Sequence, residues 1–316
     1  MTLLHRTCAI FAAAGLALLP ASAQAADKLT VLLDWFVNPD HGPLVIAQEK
    51  GFFADVGLEV ELIAPADPND PPKLVAAGKA DLAVSYQPQL HLQAAGGLPL
   101  SRIGTLIATP LNCLVVLADG PVDSIADLRG RKIGFSVGGF EDAVLAEMLH
   151  THGVRLDEVT LVNVNFALSQ ALLSGQVDAV IGAFRNFELN HLELEGRPGR
   201  AFYPEEEGVP AYDELIFVAH KERTGDPRLP RFLSAVERAI QYMLNHMDES
   251  WELFVRAHPD LDDELNRRAW YDSRGRFSLR PSALDAARYA RFADFLLEQG
   301  LLEKAIPLSD YTAVVN

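Results

Sequence analysis

The apolar positions of this chain come in short, nearly unbroken runs separated by turn residues and by stretches of helical period. Residues 29–33 (LTVLL) make one such run and 82–85 (LAVS) another. Further runs are 113–117 (CLVVL), 132–136 (KIGFS), 160–164 (TLVNV), 177–182 (VDAVIG) and 216–219 (IFVA). Short runs with little alternation read as strands covered on both faces, whereas 58–63 (LEVELI) alternates as a half-exposed strand does. Helices are predicted between them. One spans 43–50, with Pro43 in its first turn, Asp40 as a candidate cap and Gly51 at its end. Others start at Pro71-Pro72, run over 140–150 and 167–173, and a capped turn begins at Ser124. The last third is helical, over 229–246, 249–257 and 283–299, the last with apolar Leu284, Ala287, Phe292, Phe295 and Leu296.

Alternating strands and helices with two crossings predict an α/β fold of two lobes. The first crossing is expected at 118–121 and the second at the strand 216–219. Lobe 1 would then combine 26–118 with 215–316, and lobe 2 would be the insert 119–214. Four strand ends carry groups with chemistry, and ligands bind beyond the carboxyl ends of strands in open α/β sheets. The first strand runs into Asp34, Trp35, Asn38 and His41, and the third into Tyr86 and Gln87. Residues 132–136 end at Ser136, before Gly138, Gly139 and the helix start at Phe140. The strand 177–182 opens into Phe184, Arg185 and Glu188. Two ends from each lobe would face one another across a hinged cleft.

Each group also has a plainer use. Trp35 serves equally well as core filler, Tyr86 as an ordinary strand-end tyrosine, and Glu188 as a solvated first-turn acid favoured by the helix dipole. The Gly138-Gly139 pair lacks the spacing of a phosphate-binding fingerprint.

Composition narrows the partners. With 316 residues, 49% of them hydrophobic, the chain buries a substantial core. Residues 1–25 read as a secretory leader: Arg6 is the only formal charge, an apolar run spans 9–19, and Ala23-Gln24-Ala25 is a small-x-small cleavage site. Cys8 comes too early in that run to suggest a lipid anchor. Removing Arg6 takes the formal net charge from −16 to −17, with 43 Asp and Glu in place. A surface this acidic repels nucleic acid and anionic lipid. Only Cys113 would remain of the two cysteines, so neither a disulfide nor a cysteine metal site is expected. With no GxSxG or HExxH motif, no catalytic residue, metal or cofactor is assigned. These features suit a soluble, exported periplasmic protein.

The segments LDWFVNPDHGPLVIAQEKGFF, GKADLAVSYQP, GFEDAVLAEML, ALLSGQVDAVIGAF and YDELIFVA resemble periplasmic binding proteins of ABC transporters that import thiamine-pyrimidine precursors. Those for formylaminopyrimidine and hydroxymethylpyrimidine are the most similar. The likeness covers nearly all of the chain beyond the leader, including RPSALDAARYARFADFLLEQGLL. It implies a type II two-lobed binding fold, no enzymatic activity, a monomer, and an ABC permease of the inner membrane as partner. The wider group also resembles fungal hydroxymethylpyrimidine-phosphate synthases and binders of riboflavin, nitrate and alkanesulfonates, which stand as alternatives.

The resemblance assigns roles. Trp35 and Tyr86 would wall a flat aminopyrimidine, and Glu188 would accept from its amino group and a protonated ring nitrogen together. Asn38 and His41 would reach exocyclic substituents, and Ser136, Gly138, Gly139 and Phe140 would close the opposite wall. Asp34, Gln87, Phe184 and Arg185 complete the expected set. Two positions depart from the family pattern, since Arg185 and Phe187 stand where Trp and His are common. The guanidinium would either quench Glu188 or recruit an anionic group on the ligand.

Overall fold

The computed structural model describes residues 25–315; the leader expected at the N-terminus lies almost wholly outside them. Within these residues ten strands form two sheets of five. In chain order they are β1 (Asp27–Leu32), β2 (Leu58–Ile63), β3 (Leu82–Ser85), β4 (Leu100–Ile107), β5 (Asn112–Leu117), β6 (Lys132–Phe135), β7 (Thr160–Asn163), β8 (Ala179–Phe184), β9 (Gly199–Phe202) and β10 (Leu215–His220). The helices are α1 (Gly42–Glu49), α2 (Phe52–Asp55), α3 (Pro71–Ala76), α4 (Gln87–Ala95), α5 (Glu141–Thr151), α6 (Leu168–Leu173), α7 (Glu188–Leu194), α8 (Arg228–Asn245), α9 (Met247–Ala257), α10 (Glu264–Asp272) and α11 (Ala286–Glu298).

The first sheet runs β2-β1-β3-β10-β4 and the second β7-β6-β8-β5-β9. Each has a parallel triplet (β1 with β2 and β3; β6 with β7 and β8). Each also takes one antiparallel strand from the chain as it arrives from the other lobe, β10 in the first and β5 in the second. Both sheets are apolar on both faces. The largest core covers one face of each, a cluster with Tyr289 and Tyr311 covers the other face of the first, and one with Leu168, Leu172 and Leu192 covers that of the second. Double coverage is why most strands read as unbroken apolar runs.

Sheet membership moves the first crossing. It lies at residues 108–111, between β4 and β5, and not at 118–121. A fully buried run such as CLVVL carries no sign of which sheet it joins, so the pattern could not place β5 in the second lobe. The strand β4 was hidden for the opposite reason. Its sequence LSRIGTLI is broken by polar residues that are nevertheless buried. Arg102 donates inside the protein to the Thr105 hydroxyl at 2.8 Å and the Pro281 carbonyl at 3.2 Å. Helices α4 and α10 and the strand β9 are likewise additions to the predicted set.

The predicted cap of α1 is not found: Asp40 lies inside a single 3-10 turn, Pro39–His41, that leads into α1, and Asn38 caps that turn by accepting from the Asp40 backbone N–H at 2.9 Å. Glycine stands at position 42 because a β-carbon there would lie 2.7 Å from the Trp270 ring of α10. Among the described residues no helix is long and apolar enough to cross a membrane.

Candidate functional site

The carboxyl ends of β1, β3, β6 and β8 converge on one cleft between the sheets. The space there amounts to about 420 Å³, counting the part open to solvent. It is lined by Asp34, Trp35, Asn38, Asp40 and Tyr86 from the first lobe and by Glu141, Leu168, Gly182, Phe184, Phe187 and Glu188 from the second. Trp35, Tyr86 and Glu188, distant in sequence, therefore share one hollow.

The first-lobe wall is built from side chains holding side chains. The Asp34 carboxylate accepts from the Tyr86 hydroxyl at 2.9 Å and contacts His41 Nε2 at 2.9 Å. The Asn38 backbone N–H reaches His41 Nδ1 at 3.3 Å, so the ring proton sits on Nε2 and points at Asp34. Burial raises the Tyr86 phenol far above its ordinary pKa, with the Asp34 charge adding to it, so Tyr86 stays a donor. Tyr86 is fixed from behind by Phe140, whose ring stacks on it at 5.0 Å.

The second-lobe wall rests on backbone N–H groups. Glu188, at the start of α7, accepts from the Phe184 N–H at 2.6 Å. Glu141, in the first turn of α5, accepts from the Ser136 N–H at 2.8 Å and from that of Val137. Both carboxyls are buried, and desolvation lifts Glu188 to about 7 and Glu141 to about 8 against the hydrogen bonds that oppose it. Gly182 makes room for Glu141: its φ of +92° suits glycine, and any β-carbon there would collide with the carboxylate.

Asp40 joins the lobes. Its Oδ1 accepts from Asn186 Nδ2 at 2.8 Å and from the Ser273 hydroxyl at 2.8 Å, and burial raises its pKa to about 6. Asn190 reaches Asp272 at 2.8 Å on the same side. On the other side Asn69 donates to the Ser136 carbonyl at 3.1 Å and accepts from the Gly138 N–H at 3.0 Å. Hydrogen bonds thus cross from lobe to lobe at two places.

Several expected site residues do other work. His41 is wholly buried behind Asp34 and orients that carboxylate instead of reaching a ligand. Gln87 is also buried, accepting from the Asp213 N–H at 2.8 Å and contacting His91. Ser136 donates its hydroxyl to the Asn165 carbonyl, and its N–H is taken by Glu141. Gly138, Gly139 and Phe140 face a separate groove with Asn69 and Lys73. Arg185 turns away from the cleft. It pairs with Glu205 at 2.6 Å, lies 4.2 Å above the Tyr203 ring, and donates to the carbonyls of Leu111 and Asn112 at the first crossing. Its charge is paired with Glu205, and it is absent from the cleft lining. Asp40, Glu141, Gly182, Leu168 and Phe187 were not expected. Of these only Asp40 and Phe187 carried a signal, lying within stretches already marked as strand ends.

Comparison with known proteins fits this geometry. The profile of the family described as NMT1/THI5 like matches residues 38–250. The chain belongs to this family. It is 52% identical over 299 residues to a putative thiamine biosynthesis protein of Haemophilus influenzae, covering 94% of this chain and 95% of that one. It is 34% identical to the formylaminopyrimidine-binding protein of Halalkalibacterium halodurans, over 73% and 71% of the two chains. It is 30% identical to the 4-amino-5-hydroxymethyl-2-methylpyrimidine phosphate synthase of Aspergillus parasiticus, over 80% and 77%. In fold it matches the alkanesulfonate-binding protein SsuA of Xanthomonas axonopodis, with a TM-score of 0.72 over 92% of this chain and 99% of that one at 17% identity. This NMT1/THI5-like protein therefore has the two-lobed periplasmic binding protein fold with its cleft between the lobes.

Proposed function

We propose that this protein is a non-catalytic solute-binding protein that captures a thiamine-pyrimidine precursor in its cleft and delivers it to an ABC permease. The observation that carries this reading is the composition of the cleft lining. Two large rings, Trp35 and Tyr86, share it with four carboxylates, and no lysine, arginine or histidine is among the described lining residues. A flat ring with an amino group and a protonatable ring nitrogen offers faces to the aromatics and donors to the acids. Sulfonate and nitrate offer neither, and would bring negative charge among four acids. The relatives named for thiamine-pyrimidine chemistry support the same ligand class.

A synthase activity is disfavoured by the chain's own residues. The segment VSYQPQLHL has no lysine to carry an aldehyde cofactor, and His91 is buried against Tyr289, Phe292 and Tyr311. Burial drives the His91 pKa down to about 3. Cys113 is buried, with its thiol directed to the Ala183 carbonyl. The leader-like N-terminus supports periplasmic delivery, and the protein acts as a monomer. Titration calorimetry tests the reading against formylaminopyrimidine, hydroxymethylpyrimidine, riboflavin, nitrate and MOPS. Only the pyrimidines should bind at micromolar concentration or below, and mass spectrometry of co-purified cargo should find a flat nitrogen heterocycle. Tight binding of an anion with no such ring would overturn it.

A further inference from the structure

Resting on that reading of the cleft, we infer that Phe36 and Phe166 cap its mouth. With Trp35 and Phe187 they join the lobes through four rings and set how long a ligand is held, although neither of them lines the hollow. Trp35 and Phe36 follow β1 in the first lobe, while Phe166 lies between β7 and α6 and Phe187 just before α7 in the second. Rings of opposite lobes meet at three contacts. Trp35 and Phe166 stand edge to face, with centroids 4.5 Å apart at 76°; Phe36 lies 6.0 Å from Phe166 and 6.3 Å from Phe187. These separations and tilts are those of attractive aromatic pairs.

Their place is an outer layer over the cleft. Trp35 and Phe187 line the hollow, and Phe36 and Phe166 do not. Phe36 packs on both lining rings, 5.6 Å from Trp35 and 6.3 Å from Phe187, yet keeps 40% of its surface in solvent. Core packing does not account for these side chains. Phe36, Phe166 and Phe187 belong to none of the apolar clusters among the described residues. Trp35 leans out of its own lobe onto the cluster of the second.

The backbone holds Phe166 up to this contact. Among the described residues Asn165 is the non-glycine residue in the left-handed region, at φ +51°. Asparagine tolerates that conformation better than most side chains, but it persists only where the surroundings impose it. Here the Asn163 side chain accepts from the Asn165 N–H at 2.8 Å, and the Ser136 hydroxyl donates to the Asn165 carbonyl. The Ser136 N–H is in turn taken by Glu141 of the cleft lining, so the turn presenting Phe166 is tied to the wall it covers. Ring contacts between lobes exist only when the lobes are closed. They stabilise the closed state and not the open one, so losing them speeds escape without slowing entry.

The test uses the purified protein stripped of cargo, with 4-amino-5-hydroxymethyl-2-methylpyrimidine as the probe. Stopped-flow fluorescence reads association and dissociation rates separately. Phe166→Ala should speed dissociation about five- to tenfold and leave association no more than about twofold slower. Phe166→Tyr keeps the ring and should return dissociation to within about twofold of the unaltered protein. Because the two rings act as one cap, Phe36→Ala with Phe166→Ala should cost less than the product of their separate effects, whereas two independent ligand contacts would multiply. A second measurement needs no ligand. Trp251 and Trp270 are buried, so Trp35 is the tryptophan within reach of acrylamide, and Phe166→Ala should raise its quenching in the empty protein. An unchanged dissociation rate in Phe166→Ala, multiplying effects, or unchanged quenching overturns the cap while leaving a pyrimidine-binding cleft. If the unaltered protein does not bind the pyrimidine, the reading of the ligand fails, and the quenching result alone decides the cap.

Discussion

In the first lobe the cleft carboxylate Asp34 is gripped by two buried side chains, Tyr86 and His41, while in the second lobe Glu188 and Glu141 lean on backbone N–H groups at helix starts. The two sheets share one strand order, so topology does not cause the difference. The turns at the strand ends do. After β1 the Asn38-to-Gly42 turn folds His41 back under Asp34, and after β8 a short turn leads straight into α7. The comparison teaches that one wall is built as part of the core and the other is left electrostatically unfinished, its acids held on neutral backbone N–H groups alone.

The largest effect should come from breaking the built wall. Asp34→Ala leaves the Tyr86 hydroxyl and the His41 N–H without an acceptor in a buried setting, so folding stability should fall by about 2–4 kcal/mol. Urea denaturation reads this, and an unchanged midpoint would mean the network is decorative. Glu188→Ala should do the reverse in kind. Stability should move by less than about 1 kcal/mol, because a costly buried acid is removed, while pyrimidine affinity weakens by about 1.5–3 kcal/mol. Equal losses of stability in the two variants would dissolve the contrast between the walls.

The unfinished wall also predicts a pH profile for the empty protein. Glu188 and Glu141 have folded pKa values near 7 and 8, above the 4.5 of a free glutamate, so between those values the folded state holds more protons than the unfolded one. Stability should therefore fall as pH rises from about 4.5 to about 8 and level off above. Buried Glu214, at about 7, adds to the same slope. Thermal melts across this range should show it, and Glu188→Gln with Glu141→Gln should reduce the slope to what Glu214 and Asp40 leave; a rise in stability towards alkaline pH would contradict the assignment.

The smallest effect concerns Arg185. Its guanidinium serves the first crossing, where Glu214 also accepts from the Leu111 and Asn112 N–H groups at 2.6 and 2.9 Å. Arg185→Ala should shift pyrimidine affinity by less than about 0.5 kcal/mol and be felt in stability instead. A changed ligand preference would return this residue to the cleft.

Much of this was legible in the chain itself. Short apolar runs with turn residues at their ends marked most parallel strands to within two residues, because a doubly covered strand needs apolar side chains on both faces; the strand read at 177–182 runs instead from Ala179 to Phe184, so Phe184 closes it and does not lie beyond it. The strand ends with Asp34, Trp35, Tyr86 and Glu188 stood out because chemistry-bearing groups interrupt the apolar pattern there. What the pattern could not carry was partnership between distant residues. His41, Gln87 and Arg185 looked like ligand groups, and each proved to satisfy a buried neighbour. Glu141 carried no mark of its place until the fold set it opposite a glycine from another strand.

The sequence by itself determined which segments become strands and helices, and which strand ends carry rings and acids, since both depend on local side-chain chemistry. Only the tertiary structure decided which acids face the hollow, which are already satisfied and which still lack a counter-charge. The reason is physical: whether a carboxyl is content depends on the donors and the solvent within a few ångströms of it, and those are supplied by residues far away along the chain.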